Sequence, residues 1–302
     1  MKPIRHLKEM EKYLKERKEK KTLAVAMGED PHTLGAVTRA LNKDLLNVIV
    51  TGQQDKIKQV ADEKGLDISK LKIIDVKSEE EGIKKAVQLV KEGKADYLMK
   101  GLCNTAKYMR GILDKNKGLM KKGEILSHVT VMEVPTYHKL LLLSDVAVIP
   151  YPDLSNKIKM LGYCKQIANS LGIKKPKAAI LAAVEKVNPK MQSTMEAAIL
   201  SKMQDRKQIT GMLVDGPLAM DLAVSKESAD IKGIKSEVAG DADIILFPNI
   251  EAGNIVYKTL AYLGNAKLAA IVMGANVPCV LTSRSDSDDS KYYSIILGAL
   301  AS

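Results

Sequence analysis

The order of short apolar runs and amphipathic stretches along the chain constrains its fold more than any other feature. Apolar runs such as Thr22–Met27 (TLAVAM) and Asn47–Val50 (NVIV) alternate with longer stretches whose apolar residues recur at helical spacing. Runs this short and continuous are typical of strands buried on both faces of a parallel sheet. The alternation, with short loops between, therefore predicts an α/β fold with mainly parallel sheets.

A change in composition near the middle of the chain, from alternating apolar runs to a polar stretch, predicts a division into two α/β regions. The polar stretch Lys117–Glu124 (KGLMKKGE) contains two glycines and separates the two alternating regions. In the second region, strands are predicted at Leu126–Glu133 and Asp145–Ile149, and the chain ends in a predicted helix over Ser290–Leu300. The 302 residues provide enough chain for one large domain or two ordinary ones.

Composition and charge exclude several classes of protein. The net charge of +11 comes from lysines spread along the whole chain, and aromatic residues amount to only 4%. A single-stranded nucleic-acid binder needs stacking aromatics, so we expect solvated helix faces and attraction of small polyanions instead. Three widely spaced cysteines predict no disulfide framework and favour a reducing cytoplasm. No apolar run approaches the roughly 20 residues of a membrane span.

Two loops that follow predicted strands carry residues suited to bind anions. In Leu281–Lys291 (LTSRSDSDDSK), Ser283 and Arg284 stand between a strand and the start of a helix. A hydroxyl, a guanidinium and free helix N–H groups together favour phosphate. Lys100–Arg110 (KGLCNTAKYMR) offers Thr105 and Arg110 as contacts with an anion from a second side, and the alternative for Arg110 is a solvated position on a helix face. Acidic residues also follow Arg284, and helix capping is their ordinary role; they include Asp286 and Asp289.

The remaining motifs specify less. Phe247–Asn254 (FPNIEAGN) contains Gly253, which would let the backbone approach a ligand, and Asn254, which would start a helix. Histidines and cysteines lack metal-ligand spacing, so no metal site is predicted. The sequence contains no GxxxxGK[ST], GxGxxG or GxSxG motif. Nucleotide hydrolysis, a standard dinucleotide fold and a serine-hydrolase elbow are therefore disfavoured.

Taken in order, the loop motifs resemble those of the phosphate acetyl/butyryltransferase family. The resemblance runs from about Thr22 to the C-terminus and rests on YLMKGLCNTAKYMRGIL, SDVAVIPYPDLSNKI, AAVEKVNPKM, VDGPLAMDLAVS, VAGDADIILFPNIEAGNIVYKTLAYLG and VPCVLTSRSDSDDSK. EKVNPKM and SRSDSDDSK are more similar to the butyryl than to the acetyl enzymes. The resemblance implies two α/β domains with an interdomain cleft, like isocitrate and isopropylmalate dehydrogenases, over residues 1–125 plus 271–302 and residues 126–270.

The resemblance also implies a reaction and a set of site residues. An acyl-CoA, here butyryl-CoA, and phosphate would form an acyl phosphate and CoA by direct transfer in a ternary complex, with no tightly bound cofactor and no metal. Arg284 matches the family's phosphate-binding arginine and Ser283 the neighbouring hydrogen-bond donor. Arg110 lies where related enzymes place a second arginine, and Lys100 supplies further charge. The family's catalytic aspartate has no counterpart six residues beyond Arg284, which leaves two substitutes, Asp289 and Asp286.

Other functions are compatible with the same sequence features. A phosphate acetyltransferase is the nearest alternative, and a metal-dependent dehydrogenase shares the expected architecture. A non-catalytic coenzyme A or nucleic-acid binder on the same scaffold is the alternative from another class. For the enzyme, we expect a cytoplasmic homo-oligomer, a dimer or larger, that binds acyl-CoA and phosphate and neither nucleic acid nor membrane.

Overall fold

A computed structural model describes residues 2–282 and 287–302. The helices of these residues are α1 Met10–Lys15, α2 Pro31–Asn42, α3 Gln54–Lys64, α4 Glu79–Lys91, α5 Thr105–Leu113, α6 Leu154–Ser170, α7 Gln192–Asp205, α8 Met220–Val224, α9 Lys226–Ile231, α10 Ile250–Tyr262 and α11 Asp288–Ala301. The strands are β1 Thr22–Ala26, β2 Asn47–Gly52, β3 Lys72–Asp75, β4 Tyr97–Lys100, β5 Ser127–Glu133, β6 Leu141–Ser144, β7 Lys177–Leu181, β8 Leu213–Leu218, β9 Ile244–Leu246, β10 Lys267–Met273 and β11 Cys279–Val280. The predicted α/β alternation is thus confirmed.

The chain folds into two compact units. We call Lys8–Ile125 with Ala269–Ser302 the first unit, and Leu126–Leu268 with Met1–Leu7 the second unit. The first residues join the second unit through hydrogen bonds from Ile4 N to Leu171 O and from Leu7 N to Glu133 Oε2. The domain boundaries drawn from the sequence, with residues 1–125 kept together, stay a prediction.

Each unit contains strands that are mainly parallel. In the first unit the strand order is β3-β2-β1-β4-β11-β10, and each pair of neighbours is parallel except β10 and β11. In the second unit the order is β5-β6-β9-β7-β8, with only β5 and β6 antiparallel. Parallel neighbours align their carboxyl ends, and the loops that leave those ends are where such sheets bind ligands.

Local sequence signals explain several element boundaries. Pro31 occupies the first position of α2, where its missing N–H is not needed, and the Asp30 side chain accepts a hydrogen bond from Thr33 N at 2.7 Å. α11 is buried along nearly its whole length, so it serves as a core helix of the first unit. Among the helices of the described residues, none combines the length and apolar character that a membrane span requires.

The strand predicted at Asp145–Ile149 is wrong. The strand of this region is β6, which ends at Ser144, one residue before the predicted strand begins. Asp145 is buried, and its carboxylate accepts hydrogen bonds from Ala147 N and Val148 N, which turns the chain away from the sheet. The segment is therefore a turn that follows the strand, and Val146 is its one buried apolar residue.

Candidate functional site

The carboxyl ends of three neighbouring strands in the first unit place Lys100 beside the exit of β11. Lys100 is the last residue of β4 and is paired with Ala26 at the end of β1. On the other side of β4, Val280 of β11 is paired with Met99. Since these strands are parallel, the chain leaving β11 and the Lys100 side chain share one end of the sheet. Only 6% of Lys100 is exposed, and its Nζ donates to the Gly101 carbonyl at 3.3 Å.

The turn after β4 carries the next candidate, Thr105, to the same end of the sheet. A Cβ on Gly101 would lie 2.1 Å from the Met27 carbonyl oxygen, so this turn requires glycine. Asn104 then caps α5 by accepting from Ala106 N and Lys107 N. Thr105, the first residue of α5, is exposed. Lys100 and Thr105 therefore bracket a tight turn at one end of the sheet.

Arg110 lies further along α5 and borders a groove between α4 and α5. The groove has a volume of about 880 Å³, with Ile83 and Val87 at its apolar part. Arg110 is exposed and has no ion-pair or hydrogen-bond partner among residues 2–282 and 287–302. Five residues separate it from Thr105, a rise of about 7.5 Å along a helix. The structure thus places Arg110 on the side of α5, more than a turn away from the end of the sheet.

Asp289, one of the two proposed bases, lies in the first turn of α11 and is paired with α2. Its Oδ1 is 2.5 Å from Arg39 Nη1, and the Arg39 guanidinium stacks 3.9 Å from the centre of the Tyr292 ring. Burial opposes the charge of Arg39, but the hydrogen bond and charge of Asp289 outweigh it and raise the pKa of that arginine. The neighbouring Asp288 lies 2.6 Å from His32 Nδ1. Both acids keep more than half of their side-chain surface exposed.

Ser283, Arg284 and Asp286 lie outside the described residues. Their predicted roles therefore stay predictions.

Gly253 and Asn254 lie in the second unit, inside α10, which begins at Ile250 after the Asn249 cap, so the prediction that Asn254 starts this helix is wrong. A Cβ on Gly253 would lie 2.2 Å from the Asp145 carbonyl oxygen, and the Asn254 amide donates to Val146 O at 2.9 Å. These contacts hold α10 against the loop that follows β6. The close approach that Gly253 permits is thus to the protein's own backbone, and substrate binding by these two residues stays a prediction.

A buried ion pair in the second unit is absent from the residues predicted by sequence. Lys157 of α6 and Glu196 of α7 are paired and both buried, and they line a cavity of about 430 Å³. The position of Lys157 on its helix could have indicated this pair in the sequence. Lys157 precedes Leu161 and Cys164 at spacings of four and seven on the apolar face of α6. A lysine in the apolar stripe of a helix has to find a partner inside the fold.

The cysteines are buried and poorly ionised. Burial raises the pKa of the Cys103 thiol to about 11 and that of Cys164 to about 12. The thiolate is the nucleophilic form and burial disfavours it, which supports a packing role for Cys103. Within the part of the chain that the structure describes, no group of three or more histidines, cysteines and acids could hold a metal ion.

Comparison with known proteins decides the family. The chain matches the family described as phosphate acetyl/butaryl transferase over residues 7–84 and 79–299. It belongs to that family. It is 47% identical over 283 residues to phosphate butyryltransferase from Clostridium acetobutylicum, covering 94% of each chain. It is 45% identical over 280 residues to phosphate acetyltransferase from Thermotoga maritima, covering 93% of this chain and 95% of that one. The chain is therefore a phosphate acyltransferase.

Solved structures agree with this family and with the predicted fold class. A branched-chain phosphotransacylase from Enterococcus faecalis superposes with a TM-score of 0.82 at 34% identity, over 93% of this chain and 98% of that one. At the level of fold alone, 4-hydroxythreonine-4-phosphate dehydrogenase from Klebsiella pneumoniae superposes with a TM-score of 0.58 at 14% identity, over 93% and 100%. The prediction of an α/β fold of the isocitrate dehydrogenase type is confirmed.

Proposed function

We propose that this phosphate acyltransferase converts butyryl-CoA and inorganic phosphate to butyryl phosphate and CoA by direct transfer in a ternary complex. The observation that carries the proposal is the buried ammonium of Lys100 at the end of β4. It lies beside β11, and Ser283 and Arg284 follow β11 in the sequence. The motifs EKVNPKM and SRSDSDDSK support the butyryl group over the acetyl group.

Phosphate binding is assigned to cations and donors of the first unit. A buried ammonium attracts an anion more strongly than an exposed one, because less water screens the charge. Lys100 meets this condition, and the start of α5 at Thr105 contributes the positive end of a helix dipole. Arg284 is assigned the binding of the phosphate oxygens, because its planar guanidinium can donate two parallel hydrogen bonds to them. Arg110 is assigned a weaker, solvent-exposed contact with an anionic substrate.

The transfer step requires an oxyanion donor and a group that moves one proton. A phosphate oxygen attacks the thioester carbonyl carbon, and a negative charge forms on the carbonyl oxygen, to which Ser283 donates a hydrogen bond. The C–S bond then breaks and its electron pair leaves on sulfur. The proton from the attacking phosphate hydroxyl is transferred to that sulfur, and in the reverse direction it leaves the CoA thiol.

Asp289 is the proposed carrier of this proton. Arg39 contacts its Oδ1, no residue of 2–282 and 287–302 pairs with the other carboxylate oxygen, and 57% of the side chain is exposed. Asp286 is the alternative carrier. Replacing each aspartate in turn by asparagine distinguishes the two candidate carriers.

The test of the function is phosphate-dependent release of free thiol. The protein is incubated with butyryl-CoA or acetyl-CoA, with and without phosphate, and thiol is followed with a colorimetric reagent. We expect release only with phosphate, and a higher kcat/KM for butyryl-CoA. A higher kcat/KM for acetyl-CoA would reject the butyryl assignment, and no phosphate-dependent release from either substrate would reject the transfer reaction.

Arg284→Ala tests the assigned cation. We expect kcat to fall about 10²–10³-fold, or about 2.7–4 kcal/mol, as for a preorganised donor to the developing charge. Arg206→Ala is the control, because Arg206 is an exposed residue at the end of α7. Activity of the Arg284 variant within a few-fold of the unmodified protein would contradict the assignment.

A further inference from the structure

The cavity of the second unit lies where three helices follow parallel strands. Its lining comes from the first turns of α6 and α7 and from the residues that lead into α10. These helices follow β6, β7 and β9, three parallel neighbours of the sheet. The cavity of about 430 Å³ therefore opens at the carboxyl end of the sheet, the position at which α/β folds hold ligands.

The ammonium of Lys157 has more donors than the protein satisfies. Its side chain is 4% exposed, and it donates to Glu196 Oε2. The other Glu196 oxygen accepts from Gln192 Nε2 at 2.8 Å, so this carboxylate is engaged on both sides. An ammonium carries three N–H donors. Among the described residues, no second acceptor contacts Lys157, which leaves two buried donors beside the cavity.

Leaving buried N–H donors without acceptors costs free energy. A molecule bound in the cavity should therefore present an oxygen atom that accepts from Lys157. The lining carries one ammonium, that of Lys157, and two carboxylates, those of Asp153 and Glu196, giving a formal charge of −1. This charge disfavours a phosphate dianion and favours an uncharged acceptor such as an amide carbonyl. Ser193 and Asn249 add a hydroxyl and a side-chain amide to the same lining.

We propose that this cavity binds an amide of the substrate, and specifically the amide-bearing pantetheine arm of CoA, through the buried ammonium of Lys157. The proposal rests on the proposed function, which makes CoA a substrate. The arm is uncharged and presents two amide carbonyls and a hydroxyl, so it matches both the charge and the donors of the cavity. Glu196 holds Lys157 in place and neutralises its charge. The pair would therefore bind an uncharged molecule through a hydrogen bond from Lys157 to an oxygen atom.

The binding test uses D-pantetheine, which carries the arm without phosphate or adenosine. Its dissociation constant is measured by isothermal titration calorimetry with the full chain. The principal variant is Lys157→Met with Glu196→Gln, which removes both charges and leaves neither buried alone. We expect its dissociation constant to rise at least 10-fold. Lys165→Met is the control on the same helix, since the one acceptor of Lys165 among the described residues is Thr210 O, and it should change the constant less than 2-fold.

A second variant keeps the test decisive if the double variant does not fold. Ser193→Leu adds bulk to the cavity without disturbing the buried pair, and it should weaken pantetheine binding to a similar degree. In steady-state assays both variants should raise the KM for acyl-CoA with little change in the KM for phosphate. Circular dichroism of each variant verifies the fold.

The outcomes separate this inference from the proposed function. No pantetheine binding to the unmodified protein, or equal binding to all variants, would overturn the inference even if acyl transfer is observed. If no acyl-CoA is turned over but pantetheine binding still depends on Lys157 and Ser193, the proposed function fails and the amide site stands. Equal competition by glycerol, with none by N-acetylcysteamine, would show a polyol site and would also overturn the inference.

Discussion

The two ends of the parallel strands use charge in different ways. At the amino ends, each unit has an aspartate that binds both a lysine and the backbone of the neighbouring strand. Asp96 accepts from Lys21 Nζ and Thr22 N at 2.9 and 2.8 Å. Asp243 accepts from Lys139 Nζ and Lys177 N at 2.7 and 2.8 Å. These charges are satisfied by the fold itself, so their role is to join strands.

At the carboxyl ends, buried lysines lie next to the loops and helices that leave the sheet. Lys100 donates to a backbone carbonyl of its own turn, and Lys157 donates to a carboxylate beside the cavity. Helices begin at this end, and their free N–H groups add partial positive charge. The contrast teaches that charge at the amino ends joins neighbouring strands, whereas the buried lysines at the carboxyl ends lie beside the loops and helices to which ligand binding is assigned. Substitutions at the amino ends should therefore change stability alone, whereas those at the carboxyl ends should change turnover or ligand binding and also cost stability where a buried ion pair is broken.

The largest expected effect is on turnover, at the carboxyl end of the first unit. Asp289→Asn should lower kcat by about 10²–10⁴-fold, because the carboxylate would no longer accept the proton. The matched control is Asp288→Asn: Asp288 lies in the same helical turn, pairs with His32 and is similarly exposed. Steady-state kinetics with butyryl-CoA measures both.

Asp286→Asn separates the two candidate bases. If this variant loses turnover while Asp289→Asn retains it, Asp286 is the base and the pairing of Asp289 with Arg39 is structural. Equal losses from Asp288→Asn and Asp289→Asn would show that both variants act by disturbing the start of α11.

The second effect is on stability, at the carboxyl end of the second unit. Lys157→Met alone leaves Glu196 buried without its partner, and breaking a buried pair in this way costs about 3–5 kcal/mol. The free energy of unfolding is measured by urea denaturation followed by circular dichroism. Lys165→Met removes one hydrogen bond to a backbone carbonyl and should cost no more than about 1 kcal/mol. If Lys157→Met and Lys165→Met lost equal free energy of unfolding, the buried pair would not stabilise the fold more than the single hydrogen bond of Lys165 does.

Much of the fold could be predicted from the sequence, because the determinants are local. The runs at Thr22–Met27 and Asn47–Val50 correspond to β1 and β2 to within a residue or two, and Pro31 marks the start of α2. The strand at Asp145–Ile149 failed because the Asp145 carboxylate holds this segment in a turn after β6, which its apolar composition does not reveal. A short apolar run does not by itself distinguish a strand from a turn that follows one.

The candidate site was predictable only in part. Lys100 follows an apolar run in the sequence, and the order of strands β1, β4 and β11 then places it beside the exit of β11. Lys157 and Glu196 are 39 residues apart and on different helices, so their pairing depends on tertiary packing. The ion pairs of Asp288 and Asp289 with α2 span 256 and 250 positions, and no local pattern indicates them.

The smallest expected effect is at the amino end of the second unit, where Asp241 should matter for stability and not for turnover. Burial opposes its ionisation, but hydrogen bonds from Lys139, Lys177 and His138 outweigh burial and hold its pKa well below the usual range. A depressed pKa stabilises the fold above the unfolded value of about 3.9, and this stabilisation is lost as the pH falls through the folded value.

The size of the Asp241 effect is limited by solvent. Because 39% of the side chain is exposed, Asp241→Asn should cost only up to about 1 kcal/mol at pH 7. Thermal melts between pH 7 and pH 2 should show a difference from the unmodified protein that shrinks toward acid pH, whereas Asp205→Asn, in an exposed pair with Lys202, should show none. A fall in kcat with Asp241→Asn at unchanged stability would break the distinction between the two ends of the sheet.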